Sequence, residues 1–291
     1  MRQLTRRSAV LAVIGTLVAF ATANALAAAS PALDRIKSRG AIVFSYRNAA
    51  PPFSYKDREG RIKGYSVELC TRVAAQIQKE LGMPELRIDW VSVEAATRLE
   101  AVATGKVDAD CGTTTITLSR MQTVDFSVPI FVDGGGVLVR AAKKPMAMTD
   151  LKGKRVAVIG GTTTEQALVR TLNTLGARGT LVPVTNSTEG MALLERGEVD
   201  GYAGDRIVLA NLKLRAPKPD ALAFVAGDFS YEPYGIVVPR DDPDFKLAVN
   251  RALVSLYRTG DIDQIFQHWL GALGQPGTLL HAMFYLNTLP E

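Results

Sequence analysis

Short apolar runs alternate along this chain with segments in which apolar residues recur at helical spacing. Residues 41–46 form an apolar run typical of a strand, and residues 66–80 have helical spacing and stop before Gly82. A second strand over 86–91 and a helix over about 95–104 continue the pattern. This strand-helix-strand rhythm predicts α/β architecture with largely parallel sheets.

The same rhythm restarts after Pro145. Alternating strands and helices are predicted at 155–159, 164–175, 180–184, 188–196, 199–203 and 206–214. Residues 105–112 and 196–205 also resemble each other, because each has a glycine followed by a Val-Asp pair that opens a strand. Since glycine commonly ends helices in α/β proteins, this likeness alone is weak. It suggests two lobes of related construction that face each other.

Two extended, glycine-containing segments at 131–139 and 231–239 lie far apart in the sequence. Glycine lets the backbone bend, so these segments predict two hinge crossings between the lobes. The helical patterns at 243–259 and 261–270 then return to the first lobe. The predicted domains are a first lobe at 30–133, a second lobe at 134–232 and a return to the first lobe at 233–291.

The first 27 residues predict a cleaved signal peptide. Three arginines within the first seven residues precede an apolar stretch at 9–20 and a run of small residues that allows cleavage after Ala25 or Ala27. The apolar stretch is shorter than the roughly 20 residues of a membrane span, so we expect export to the periplasm. The arginine pair at 6–7 leaves the choice between the general and twin-arginine export routes open.

The charge balance says little about partners. The chain has 34 basic and 29 acidic residues, and removal of the three signal-peptide arginines leaves a net charge of +2. No run of Lys and Arg follows the signal peptide, so no nucleic-acid partner is predicted.

The cysteines and histidines give no catalytic or metal-binding pattern. Cys70 and Cys111 are predicted on a helix and a strand of one lobe, and in an oxidising compartment a disulfide is slightly favoured over two buried thiols. His268 and His281 are far from both cysteines in the sequence. Cys-His catalysis and a zinc site are therefore not supported, and we expect neither a metal nor a cofactor.

A cluster of hydroxyl groups and one arginine follows the predicted strand at 107–111. Threonines occupy positions 113 to 115, and Arg120 comes five residues later. Hydroxyls, backbone N–H groups and a guanidinium fork together are suited to hold a small carboxylate. A Ser/Thr-rich turn with a solvated arginine explains the same residues equally well. The wider sequence has to decide between these interpretations.

Six motifs in a fixed order resemble those of periplasmic solute-binding proteins of ABC importers, in the polar amino-acid branch, over about residues 33–270. They are the segments 51–55, 64–69, 105–110 with the threonines and Arg120, 124–131, 151–165 and 234–238. Within the branch the chain is most similar to glutamate/aspartate-binding proteins, through Tyr46-Arg47, the segment 111–115 and Arg120. The resemblance implies a two-lobed type II fold that closes by a hinge on one amino acid.

The resemblance also implies how the ligand's α-carboxylate is held. Arg120 pairs with it, helped by hydroxyls and amides at Thr113 and Thr115. Thr162 and Thr163 lie at a predicted helix N-terminus in the second lobe and add donors to the same group.

Asp205 corresponds in the family to the acid that receives the α-ammonium group. A zwitterion needs one fixed cation and one fixed anion, which agrees with this pairing. The alternative is that Asp205 only caps the helix predicted at 206–214. Phe53, in a loop after two prolines, is a further candidate for the wall of the cleft.

Arg47 and Arg98 match positions that reach the side-chain carboxylate in the acidic amino-acid binders. The chain departs from that pattern at Ala95, where the family has serine, and at Ser187, where it has histidine. Arg98 also has an ordinary alternative, a surface pair with Glu94 on one helix. Glutamate or aspartate is thus the first expectation, and another polar amino acid or small dicarboxylate stays open.

These features predict a monomeric, non-enzymatic protein that captures an amino acid and delivers it to an ABC permease in the inner membrane. An enzyme on the same fold, such as a periplasmic prephenate or arogenate dehydratase, is the main alternative and would need a general acid such as Glu94 or Glu232. An exported sensor domain that signals occupancy to a receptor is a third possibility.

Overall fold

The computed structural model describes residues 30–141 and 146–290. The predicted signal peptide at 1–27 lies outside the described residues. Within the described ranges, no helix is both long and apolar enough to cross a membrane.

Strands and helices alternate through most of the chain. The helices are α1 Pro31–Arg39, α2 Tyr65–Glu80, α3 Arg98–Ala103, α4 Thr163–Thr174, α5 Ser187–Glu195, α6 Arg206–Arg215, α7 Pro243–Thr259, α8 Asp261–Leu270 and α9 Thr278–Leu286. The strands are β1 Ala41–Tyr46, β2 Ala49–Ala50, β3 Ser54–Lys56, β4 Ile62–Lys63, β5 Arg87–Ser92, β6 Ala109–Asp110, β7 Asp125–Phe126, β8 Phe131–Asp133, β9 Gly135–Arg140, β10 Arg155–Ile159, β11 Thr180–Val184, β12 Gly201–Asp205, β13 Leu222–Phe224, β14 Glu232–Tyr234 and β15 Val237–Val238.

Two five-stranded sheets define two lobes. The sheet of lobe 1 has the order β5-β1-β6-β15-β7, and the sheet of lobe 2 has the order β11-β10-β12-β9-β13. The first three strands of each order are parallel, whereas β15 and β9 run antiparallel to their neighbours. The antiparallel strands are those that the chain enters after crossing from the other lobe, so each sheet is parallel at one side and mixed at the other.

Both crossings run through one antiparallel ribbon. In this ribbon β8 pairs with β14, so that Asp133 lies opposite Glu232 and Phe131 lies opposite Tyr234. Just beyond β8 the backbone passes close to the ring of Phe229, and a Cβ atom on Gly135 would lie 2.5 Å from that ring. Only glycine fits this approach. The lobe limits at 133/134 and 232/233 fall at the ribbon and stay a prediction.

The C-terminal helices complete the core of lobe 1. Phe245 of α7 and Phe266 of α8 are buried in the same hydrophobic cluster as Ile42 of β1. A disulfide joins Cys70 on α2 to Cys111 just after β6, which confirms the predicted pairing. These contacts fix the strand end that precedes the threonine cluster.

Phe53 belongs to this core and not to the cleft. Its side chain is fully buried, and its ring centroid lies 4.8 Å from that of Phe131 and 5.5 Å from that of Tyr234. The prediction that Phe53 walls the cleft is wrong, because the two prolines before it turn the ring into the aromatic cluster beneath the hinge ribbon.

Candidate functional site

A cavity lies between the two lobes and draws its lining from both. Lobe 1 contributes Arg47, Ala50, Arg98, Thr113 and Thr115, and lobe 2 contributes Val158, Ile159, Thr162, Thr163, Thr164, Ser187, Tyr202, Ala203, Gly204, Asp205 and Val208. Seven of the eight site residues predicted from the sequence are in this set. Arg120, the eighth, is not among the lining residues.

The cavity lies where parallel strands end. Arg47 directly follows β1 and Thr113 lies shortly after β6, its parallel neighbour. In lobe 2, Ile159 ends β10 and Asp205 ends β12, which are also parallel neighbours. The carboxyl ends of parallel strands meet at one edge of a sheet, where α/β proteins bind ligands.

Two buried arginines line the cavity. Arg47 is 4% exposed and Arg98 is 3% exposed, and neither forms an ion pair with a described carboxylate. Burial, followed by the charges of Arg47 and Arg120, lowers the pKa of Arg98 to about 9, and the charges of Asp110 and Asp205 oppose that shift. A buried, unpaired guanidinium is costly, so an anionic ligand would be strongly favoured here. The alternative of a surface pair between Arg98 and Glu94 is wrong, because the Arg98 side chain is buried.

Arg120 contacts the threonine cluster through its guanidinium group. Its Nη1 donates to the carbonyl of Thr115 at 2.7 Å, and its backbone N–H donates to Oγ1 of Thr117 at 3.2 Å. Burial lowers the pKa of Arg120, and the carboxyl groups of Glu232, Asp110 and Asp205 oppose that shift. The guanidinium is therefore anchored at one nitrogen, with acidic groups and the cavity nearby.

The threonine hydroxyls differ in their partners. Thr162 is the N-cap of α4: its Oγ1 accepts from the N–H of Glu165 at 3.1 Å and donates to the carbonyl of Ile159 at 2.7 Å. Thr115 and Thr163 instead donate to one carboxylate oxygen of Glu232, at 2.6 and 2.8 Å. The Thr162 hydroxyl is thus committed to capping, which leaves the backbone N–H groups at the start of α4 as donors toward the cavity.

Asp205 presents a carboxylate to the cavity. It occupies the N-cap position of α6, yet its side chain makes no capping hydrogen bond. Thr164 donates to its Oδ1 at 3.2 Å, and the hydroxyl of Tyr234 is a second hydrogen-bond partner. Burial, followed by the nearby charge of Glu232, raises the pKa of Asp205. The side-chain capping alternative is therefore wrong, and a cation in the cavity would stabilise the ionised carboxylate.

Several lining residues escaped the sequence argument. Tyr202, Gly204 and Val208 line the cavity at the end of β12 and the start of α6. The only feature of the sequence that could have pointed to them is that β12 ends in the polar residue Asp205. Ser187 also lines the cavity and is buried, whereas Ala95 is buried outside it. Among the described residues, no cluster of His, Cys, Asp and Glu is arranged to hold a metal ion.

Sequence comparison assigns this chain to a known family. The bacterial extracellular solute-binding proteins, family 3, match residues 42–272. The chain belongs to this family. This solute-binding protein is 34% identical over 239 residues to the L-glutamate/L-aspartate-binding protein of Pseudomonas aeruginosa, covering 81% of this chain and 79% of that protein. It is 30% identical over 271 residues to the glutamate/aspartate import solute-binding protein of Salmonella typhimurium, covering 92% and 89% respectively.

Solved structures confirm the two-lobed type II fold of this solute-binding protein. A mutant of ArgBP from T. maritima superposes with a TM-score of 0.72 at 30% identity, covering 82% of this chain and 99% of that chain. The ancestral amino acid-binding protein AncCDT-1, described as a precursor of cyclohexadienyl dehydratase, gives a TM-score of 0.70 at 30% identity, covering 81% and 98%.

Proposed function

We propose that this solute-binding protein captures glutamate or aspartate in the periplasm and delivers it to an ABC permease in the inner membrane. The observation that carries the proposal is the pair of buried arginines, Arg47 and Arg98, which form no ion pair with a described carboxylate and line a cavity together with Asp205. The relatives named for glutamate and aspartate support the same ligand class. The segment at 1–27 supplies export, and the protein acts as a monomer.

The charges of an acidic amino acid match this arrangement. Asp205 receives the α-ammonium group, and Arg120 receives the α-carboxylate, with the hydroxyl of Thr113 and backbone N–H groups at Thr115, Thr162 and Thr163 as further donors. Arg47 and Arg98 receive the side-chain carboxylate. A ligand with a second carboxylate is favoured because it adds an anion beside two buried like charges.

Ser187 widens the range of ligands to be tested. It is small, buried and part of the cavity wall. Because a small side chain leaves space in the cavity wall, a longer polar amino acid or a small dicarboxylate is a rival ligand.

Calorimetry of the mature protein against the twenty amino acids and glutarate tests the proposal. We expect glutamate and aspartate to bind most tightly, and arginine and lysine not to bind. A preference for a cationic or apolar amino acid would overturn the assignment of the ligand. Analytical size exclusion tests the monomer, and N-terminal sequencing of periplasmic protein tests cleavage after Ala25 or Ala27.

An enzymatic function is a second candidate, because AncCDT-1 is a precursor of a dehydratase. It requires a general acid in the cavity. Glu94 is exposed, Glu232 is held by hydroxyl groups, and neither belongs to the lining. Aromatic product formed from prephenate or arogenate by the purified protein would establish this activity in place of transport.

A further inference from the structure

Glu232 is a buried carboxylate at the edge of the cavity. It is 1% exposed and begins β14, one of the two strands of the hinge ribbon. Its Oε2 accepts from Thr115 Oγ1 at 2.6 Å and from Thr163 Oγ1 at 2.8 Å. Its Oε1 accepts from Ser230 at 2.8 Å. Three hydroxyl groups therefore surround one side chain.

The two hydroxyls on Oε2 come from different lobes. Thr115 lies after β6 of lobe 1 and forms a β-bridge with Tyr234 of the ribbon. Thr163 is the first residue of α4 in lobe 2. Their oxygens are 3.1 Å apart, which places lobe 1, lobe 2 and the hinge around a single carboxylate oxygen. This meeting requires that the lobes be closed on each other.

These bonds also restrict what the two threonines can do for a ligand. A hydroxyl group has one proton to donate. While that proton is directed at Glu232, neither Thr115 nor Thr163 can donate its hydroxyl to a ligand carboxylate. The ligand is then served by Arg120 and by backbone N–H groups, and the two hydroxyls serve the contact between the lobes.

We propose that Glu232 is a closure clasp, a positioning residue that stabilises the closed state by accepting one hydroxyl from each lobe. The inference rests on the proposed function, since closure traps the ligand. Buried hydrogen bonds to a carboxylate stabilise the state that contains them. Opening breaks at least one of the two bonds to Oε2, so the clasp slows release of the ligand. Capture by the open state does not involve the clasp.

Stopped-flow kinetics with L-glutamate separates these steps. Glu232→Ala should raise the dissociation rate about ten-fold or more, because two hydrogen bonds to a carboxylate are lost, and should leave the association rate within about two-fold. Glu232→Gln keeps an acceptor oxygen and should lie between the wild type and Glu232→Ala. If Glu232 acted only by repelling the ligand carboxylate, both variants would instead release ligand more slowly, and the clasp would be wrong.

Two further variants provide matched comparisons. Ser230→Ala removes the bond to Oε1 and the bond that Ser230 Oγ accepts from the N–H of Gly135, neither of which joins lobe 1 to lobe 2, and should change the dissociation rate by less than about two-fold. Thr163→Val removes the lobe 2 partner, so its effect and that of Glu232→Ala should be less than additive in the double variant. Fully additive effects would contradict a shared clasp.

Small-angle scattering of the ligand-free protein separates failure of the clasp from failure of the proposed function. If L-glutamate binds and the dissociation rate of Glu232→Ala stays within about two-fold of the wild type, the clasp is wrong and the ligand assignment stands. If no amino acid binds, the proposed function fails and the scattering decides. A larger radius of gyration for Glu232→Ala then supports the clasp, and coinciding profiles overturn it.

Discussion

The central strands of the two sheets, β6 in lobe 1 and β12 in lobe 2, show how alike the lobes are. Each strand is third in its five-stranded order and follows a Val-Asp pair. In lobe 1 the carboxylate of Asp108 accepts from the N–H of Val43 at 2.8 Å, and in lobe 2 that of Asp200 accepts from the N–H of Arg155 at 2.9 Å. In both lobes the aspartate of the pair thus ties the central strand to its parallel neighbour.

The same two strands differ at their carboxyl ends. Asp110 of β6 is fully buried, and its carboxylate accepts from Ser45 and Thr114, both at 2.7 Å. Asp205 of β12 lines the cavity, and its carboxylate has the hydroxyls of Thr164, at 3.2 Å, and Tyr234 as partners. The acid of lobe 1 therefore supports structure, whereas the acid of lobe 2 is available to a ligand.

The cations show the opposite division. Arg47, Arg98 and Arg120 all belong to lobe 1, and the available acid, Asp205, belongs to lobe 2. Neither lobe alone satisfies a zwitterion, so a ligand with both charges gains its full set of partners only between them. With the ligand that we propose, a shared scaffold with divided charges would link recognition to closure.

Replacement of Arg120 should break this division most severely. Arg120→Ala removes the cation proposed for the α-carboxylate, and we expect every amino acid to bind about 100-fold more weakly or worse. Calorimetry measures the loss. Arg87→Ala, which removes an exposed arginine paired with Asp89 in the same lobe, is the control and should bind normally. Affinity retained by Arg120→Ala would refute the role of Arg120.

Replacement of Asp205 tests the contribution of lobe 2. Asp205→Asn removes the charge proposed for the α-ammonium group, so affinity for amino acids should fall by about 10- to 100-fold. Glutarate has two carboxylates and no ammonium group, so its binding should be unchanged or tighter. Calorimetry with both ligands gives the comparison, and circular dichroism checks the fold. Equal losses for glutamate and glutarate would show that Asp205 does not contact the ammonium group.

Replacement of Arg98 tests which residue of lobe 1 determines the preference for acidic amino acids. Arg98→Ala should weaken binding of glutamate and aspartate about ten-fold more than binding of glutamine or asparagine, because only the former present a second charge. Arg47→Ala should show the same selectivity. Competition assays with the four amino acids measure it. Equal loss for charged and neutral ligands would place Arg98 outside the subsite for the side-chain carboxylate.

The sequence predicted helix limits well where a nearby proline or glycine sets them. The helices at 243–259 and 261–270 match α7 and α8, because each begins or ends at a residue with a local signal, such as Pro243 or Gly260. The strand expected at 107–111 is only Ala109–Asp110, because β6 pairs with β1 over two residues. Strand ends depend on a distant partner, so periodicity alone does not locate them.

The candidate site could likewise be predicted from the sequence only in part. The family motifs identified seven lining residues. The surface pair expected between Glu94 and Arg98 on one helix does not form, because α3 begins at Arg98 and Glu94 precedes the helix. The bonds from Glu232 to Thr115 and Thr163 span 117 and 69 residues. Which hydroxyl reaches which carboxylate depends on how the lobes meet, and no local pattern in the sequence encodes that.

A contact outside the cavity offers the mildest test of how the lobes cooperate. Arg215 of α6 in lobe 2 lies with its guanidinium carbon 5.7 Å from the ring centroid of Tyr55 in lobe 1, and that ring packs edge-on against Trp269. At an exposed site such a cation–π contact contributes roughly 0.5–1 kcal/mol, so Arg215→Ala should release ligand about two- to five-fold faster.

The same helix supplies the control for this prediction. Arg206 lies 4.7 Å from the ring centroid of Phe224, and both residues belong to lobe 2, so their contact does not depend on closure. Stopped-flow dissociation should therefore be faster for Arg215→Ala and unchanged for Arg206→Ala. Tyr55→Ala should match Arg215→Ala, whereas Tyr55→Phe keeps the ring and should behave as the wild type. If Arg215→Ala and Arg206→Ala had the same dissociation rate, the contact between the lobes at Tyr55 would not contribute to closure, and retention of the ligand would depend on the cavity and the hinge alone.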